Sequence, residues 1–271
     1  MSPAADSTNA LHLSPADGAL PPLWFLAPEG FFTLPIAATA EERSERAFSF
    51  VRELYSRGDE SIWEPAATYY AAMAELMGDT GVSYAAMGLF STADDAGEET
   101  ADGEVPRYEP SNGVAQCALS IAITPTDQGD PDPDIVAQGI LATLSSDPYN
   151  DAIWLDLPCG PAVSCITVRE YRLGPEVTAT GEPTKLVTGQ IQVHVPFPTG
   201  PFVAVFTLYT ASMDQWSEIY SLMAAILQTV SFIDPLEDAE RTADGNTDPA
   251  SVSVDTTGAD GSQTADAPRF R

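Results

Sequence analysis

GPFVAVFTLYTASMDQWSEIYSLMAAILQTVSFID, residues 200–234, is the stretch on which the fold turns. Phe202, Val203, Ala204, Val205, Phe206, Leu208 and Tyr209 make a run that is apolar at nearly every position. A strand wet on one face alternates, so an unbroken run rich in β-branched and aromatic residues reads as a central strand covered on both faces. Ser212 with Gln215 three residues on has the pattern of a capping box. The helix behind it places Trp216, Ile219, Tyr220, Met223, Ile226, Leu227 and Val230 at i, i+3, i+4 and i+7 spacing, with Asp214, Gln215, Glu218, Ser221 and Gln228 mostly opposite. This predicts a core-facing helix returning to a short closing strand near Ser231–Asp234; the competing reading of the stripe is a cofactor or partner groove.

Working outward, Ile191, Val193, Val195 and Phe197 alternate with Gln190, Gln192, His194 and Pro196, and Pro198–Pro201 turns that strand into the central one. Ile153–Leu157 and Val163–Tyr171 form a strand pair about Pro158–Pro161, and Thr178–Lys185 reads as a loop. Connections this short require antiparallel pairing. Further upstream, Leu23–Leu26 and Phe31–Ile36 flank Pro28-Glu29-Gly30 and predict an opening hairpin. Thr39 with Glu42 opens a helix ending near Gly58, with Phe48, Val51, Leu54 and Tyr55 on one face. Arg43, Arg46, Arg52 and Arg57 alternate there with Glu41, Glu42, Glu45 and Glu53, an exposed ion-paired face or, alternatively, a binding face. Trp63–Met77 is a second helix, Val82–Phe90 and Gln116–Thr124 are strands, and Asp134 caps a helix carrying Ile135, Val136, Ile140, Leu141 and Leu144.

The sum is an α+β domain over residues 21–235, with a single antiparallel sheet flanked by helices. Residues 1–20 read as a disordered lead, 91–112 as an acidic loop and 236–271 as a disordered acidic tail, because each has too few apolar side chains to offset ordering.

LPCGPAVSCITVREY followed by QIQVHVPFPTGPFVAVFTLYTASMDQWSEIYSLMAAILQTVSF resembles a pattern of actinobacterial proteins. In these, a Leu-Pro-x-Gly-Pro-Ala-Val turn precedes a strand, an apolar hairpin, a helix and a last strand. The ending also looks like the broader Mog1/PsbP-like fold, an antiparallel sheet flanked by helices. The resemblance covers about residues 150–234 well and 23–57 loosely, and leaves out 58–115 and the tail. Its motif is structural, so no catalytic residue carries over; it implies an accessory or protein-binding module.

The chain has 271 residues and a formal net charge of −29, from 40 acidic and 11 basic residues. Such a surface repels nucleic acid and anionic membrane and suits a basic protein partner or plain solubility. The N-terminus carries no basic segment followed by an apolar run, and no window reaches a membrane span, so a cytoplasmic protein is expected. Three cysteines, Cys117, Cys159 and Cys165, are expected as reduced thiols.

Motifs for phosphate loops, dinucleotide binding, HExxH and GxSxG are absent from the sequence. Asp79-Thr80-Gly81 matches the aspartic-protease triplet but follows a helix, which favours a helix-ending turn. Asp127, Asp130, Asp132 and Asp134 offer oxygen ligands without the central Gly and terminal Glu of a calcium loop. Cys159 and Cys165 with His194 make a zinc or nucleophile group only if the sheet joins them; buried thiols and a surface or helix-covered histidine are the plainer reading. The sequence therefore points to no catalytic, cofactor or metal residues. It predicts a non-catalytic protein-binding or accessory module. The alternatives are a small-molecule-binding protein or hydrolase with a pocket between helices and sheet, and a structural subunit of a larger assembly.

Overall fold

The central strand predicted from Phe202–Tyr209 is the middle of a seven-stranded sheet in the computed structural model, which describes residues 10–13, 22–91, 114–126 and 132–234. The remaining parts of the predicted lead, acidic loop and acidic tail lie outside the described residues, as do Asp127 and Asp130. In chain order the elements are β1 (Ala10–Leu13), β2 (Leu23–Leu26), β3 (Phe31–Thr33), α1 (Ala40–Leu54), α2 (Trp63–Asp79), β4 (Val82–Ser91), β5 (Val114–Pro125), α3 (Pro133–Leu144), β6 (Asp151–Leu157), β7 (Gly160–Leu173), β8 (Thr184–Pro196), β9 (Phe202–Thr210) and α4 (Trp216–Gln228). The large sheet runs β3-β4-β5-β9-β8-β7-β6, antiparallel throughout. This is the expected α+β class.

Register assigns the two faces. Phe206 stands beside Ile121 and Val193, and Leu208 beside Leu119 and Ile191, all buried under α4. From the helix, Ile219, Met223, Ile226 and Leu227 enter this core, and from β2 come Leu23 and Phe25. Phe25 meets Phe206 and Tyr84 edge to face. Each fully buried Ile, Met or Phe here contributes about 1.5–3 kcal/mol relative to exposure. The opposite face carries α1 and α2 over β3 and β4, where Ala47, Phe50, Val51 and Ala67 form a second cluster with Phe32 and Met87. It carries α3 over β6, β7 and β8.

Several local expectations change. Leu23–Leu26 and Phe31–Ile36 do not form a hairpin: β2 pairs with β1, and β3 pairs with β4. Ala10–Leu13, placed in the disordered lead, supplies the strand that β2 needs. From Ala204 on, burial along β9 alternates although its sequence does not: Ala204, Phe206, Leu208 and Thr210 are buried, while Val205 and Thr207 are half-buried and Tyr209 is exposed; on the other face only Val203 is buried. The two layers of helix cover the sheet unequally, and apolar composition cannot register that.

Ser212 does not cap a helix through its side chain. Its hydroxyl accepts from the Gln116 amide of β5 at 3.0 Å, and a short 3-10 turn, Met213–Gln215, leads into α4. Tyr220 is 42% exposed rather than core, because the stripe centres on Ile219, Met223 and Ile226. The cap of α3 is Asp132, which accepts from the Asp134 amide at 3.0 Å, leaving Pro133 at the first helical position, where its missing N–H costs nothing. On α1, Thr39 does cap, accepting from Glu42, but the buried aromatic is Phe50, while Phe48 lies outward against Trp63. The closing strand is a single bridge, with Ser231 exchanging both backbone hydrogen bonds with Trp24.

Candidate functional site

Two places stand apart from the packed core. The first lies under α3. His194 points from β8 to the face opposite Val193 and Val195, into a cleft of about 460 Å³ bordered by Thr126, Val136, Gly139, Ile140 and Leu144 among others. Its Nε2 is buried and has no hydrogen-bond partner among the described residues. Burial in this apolar wall pushes the imidazole pKa below its ordinary value, so the ring is neutral at pH 7. An orphaned polar atom in an apolar wall is costly, and a bound hydroxyl or carbonyl would satisfy it.

The second is an arm. β7 and β8 stay paired from Val163↔His194 out to Leu173↔Thr184. β6 leaves β7 at Asp151↔Ile166, and β9 leaves β8 at Thr210↔Gly189. Beyond those rungs a two-stranded ribbon projects alone, with no strand of the described residues on either edge. It exposes Val168 (58%), Tyr171 (41%), Val177 (66%) and Val187. Lys185 pairs with Glu170 at 3.1 Å. Residues 167–188 hold Arg169, Arg172 and Lys185 against Glu170, Glu176 and Glu182, a neutral patch on a chain of net charge −29.

The residues singled out from sequence separate. Cys159 sits at the β6–β7 turn and packs on the α4 core, whereas His194 faces α3, so these two do not share a pocket. Cys165 is on the His194 face, opposite Gln192. All three thiols are free. Burial pushes Cys117 up to about 11 and raises Cys159; Cys165 is raised by burial, then by the nearby charges of Asp151 and Asp147. None has the cationic neighbour that makes a reactive thiolate. Asp79 closes α2, Thr80 is its C-cap and Gly81 takes φ 87°, a helix-ending turn. Asp132 is occupied as a cap. Among the described residues no three His, Cys, Asp or Glu side chains gather as a metal site, and no helix is long and apolar enough to cross a membrane. On α1, Arg46 pairs with Glu42, and Arg43 reaches Glu75 of α2 at 3.1 Å while also donating to the Ala37 carbonyl, so the cationic face ties the helical hairpin together.

The sequence reads Thr178–Lys185 as a loop after the Gly181 and Pro183 breakers, whereas Thr184 and Lys185 already open β8, so the arm does not show in that reading. The signal was there in Leu186, Val187 and Thr188, a β-favouring run in register with Arg169–Tyr171. No family model, curated protein or solved structure matches this chain.

Proposed function

We propose that this chain is a non-catalytic protein-binding or accessory module, cytoplasmic, of the Mog1/PsbP-like kind implied by the resemblance of residues 150–234. The observation that carries the reading is the arm: a strand ribbon with open edges, exposed Val168, Tyr171 and Val177, and no net charge. Open strand edges recruit strands, and exposed aromatic and β-branched side chains supply the contact area. The acidic surface around the arm adds long-range attraction for a basic partner.

The test is a photo-crosslinking residue placed at Val177 in the full chain in its native cell, with Glu53 of α1 as the control position. The reading expects a defined protein adduct from Val177 that is absent from the control and lost on Tyr171→Asp. Adducts of equal yield from both positions overturn it.

A second reading, small-molecule binding, is favoured by the orphaned His194 Nε2 in its cleft, whose size is that of ordinary ligand sites. The wall is apolar apart from His194, Thr126 and Thr143, which suits binding of a small apolar molecule with one polar group rather than hydrolysis. A His194→Phe variant that loses binding of such a molecule while keeping its fold supports this; unchanged binding refutes it.

A further inference from the structure

We infer that the outer edge of β7 is a self-association site, at which two copies of this chain join their sheets antiparallel with Tyr171 facing Tyr171 across the two-fold axis. This rests on the proposed reading of the arm as an interaction surface, and seats a second copy of the chain, rather than a basic partner, on the β7 edge.

Three observations lead there. The first is the open edge: β6 covers β7 only as far as Ile166, so the outer side of Thr167–Leu173 has no strand partner among the described residues. The second is charge. Two copies carrying this much negative charge repel over most of their surfaces, and the neutral arm is where they approach at least cost.

The third is register. In an antiparallel two-fold pairing centred on Tyr171, Glu170 of each copy stands opposite Arg172 of the other, giving two opposite-charge cross-strand pairs. Centring on Glu170 sets Glu170 against itself, and centring between Glu170 and Tyr171 sets Arg169 against Arg172. Only the Tyr171 register among these three is attractive.

Within one copy Arg172 is poorly served. It lies directly across from Lys185, a like charge, and Glu170 is already bound to Lys185 at 3.1 Å. No ion pair involves Arg172 among the described residues. Glu170 of the second copy holds its own Lys185 through Oε1 and can offer Oε2 to this Arg172, which gives Arg172 an anion directly across the strand pair. A ladder of this length buries less than a standard interface, so the association belongs to the weak, concentration-dependent class.

The experiment is sedimentation equilibrium of the full chain from about 1 to 200 μM, the range where a weak dimer forms. Wild type should be a reversible dimer at the upper end. Glu170→Arg and Arg172→Glu should each weaken association by about tenfold or more, since each turns two attractive pairs repulsive, and the double variant should restore it. In parallel, Tyr171→Cys should form an intermolecular disulfide on mild oxidation, because facing Cα atoms lie about 4.5–5.5 Å apart. Val168→Cys should not, since its copies stand about 20 Å apart in this register. A monomer at every concentration overturns the inference while leaving the crosslinking test of another partner intact. So does a dimer that ignores both charge reversals, or equal crosslinking at Val168 and Tyr171.

Discussion

Gly189→Ala adds one methyl group where the fold has no room for it. A Cβ at this position in β8 would lie 2.2 Å from Cζ3 of Trp216, 2.8 Å from Cε3 and 2.9 Å from Cη2. Carbon atoms in contact sit at about 3.5–4.0 Å, so the indole must shift by more than 1 Å or leave. The backbone there is ordinary strand, so no conformational penalty arises. Overpacking of this kind costs about 1–3 kcal/mol, offset by about 0.5–1 kcal/mol from replacing a strand glycine. The net expectation is a loss of about 1–2 kcal/mol. Trp216→Ala alone should cost about 3 kcal/mol, the low end for a large aromatic, because the ring is only half-buried. In the Trp216→Ala background the sign reverses: Gly189→Ala then stabilises by about 0.5–1 kcal/mol, giving a coupling near 2 kcal/mol across the cycle. Urea unfolding followed by far-UV circular dichroism measures all four proteins without relying on the tryptophan being removed. An equal cost for Gly189→Ala in both backgrounds would refute the reasoning, because the penalty would then belong to the strand and not to the indole.

Gly139 lies inside α3 with nothing within 4 Å of where a Cβ would stand, so Gly139→Ala should stabilise by about 1 kcal/mol in a thermal melt. His194 has a folded pKa below its unfolded value of about 6.5, so the unfolded chain takes up a proton that the folded chain refuses. The stability held above pH 6.5 is therefore lost as pH falls through 6.5 toward the lowered value, and His194→Gln should lose less than wild type between pH 7 and about 5.5 in paired urea melts. Cys117, with its thiol pushed up to about 11, should resist a thiol-specific reagent at pH 8 until urea opens the fold, with Cys165 nearly as slow; fast native labelling of either would place it at the surface.

The strand, the amphipathic helix behind it, the capped α1, the α2 turn at Asp79-Thr80-Gly81 and the antiparallel hairpins all come from the chain itself. Each is a local pattern: a period of two or 3.6, a side chain within three residues of a free amide, or a glycine where φ turns positive. What a strand pairs with is not local. β2 and β3 are separated by four residues and belong to different sheets, because β1 gives β2 four paired residues and the ten-residue β4 gives β3 a partner within the large sheet. The Ser212 hydroxyl satisfies a β5 amide instead of its own helix, a choice made across a sequence distance of 96. His194 alternates in sequence with Val193 and Val195 like a solvent-facing residue, and only α3 settling over it takes its Nε2 out of water. The arm likewise exists because its neighbours cover it only in part: β6 begins at Asp151 and β9 ends at Thr210, and where a partner strand starts or stops is fixed by the packing of the whole sheet, not by Arg169-Glu170-Tyr171-Arg172.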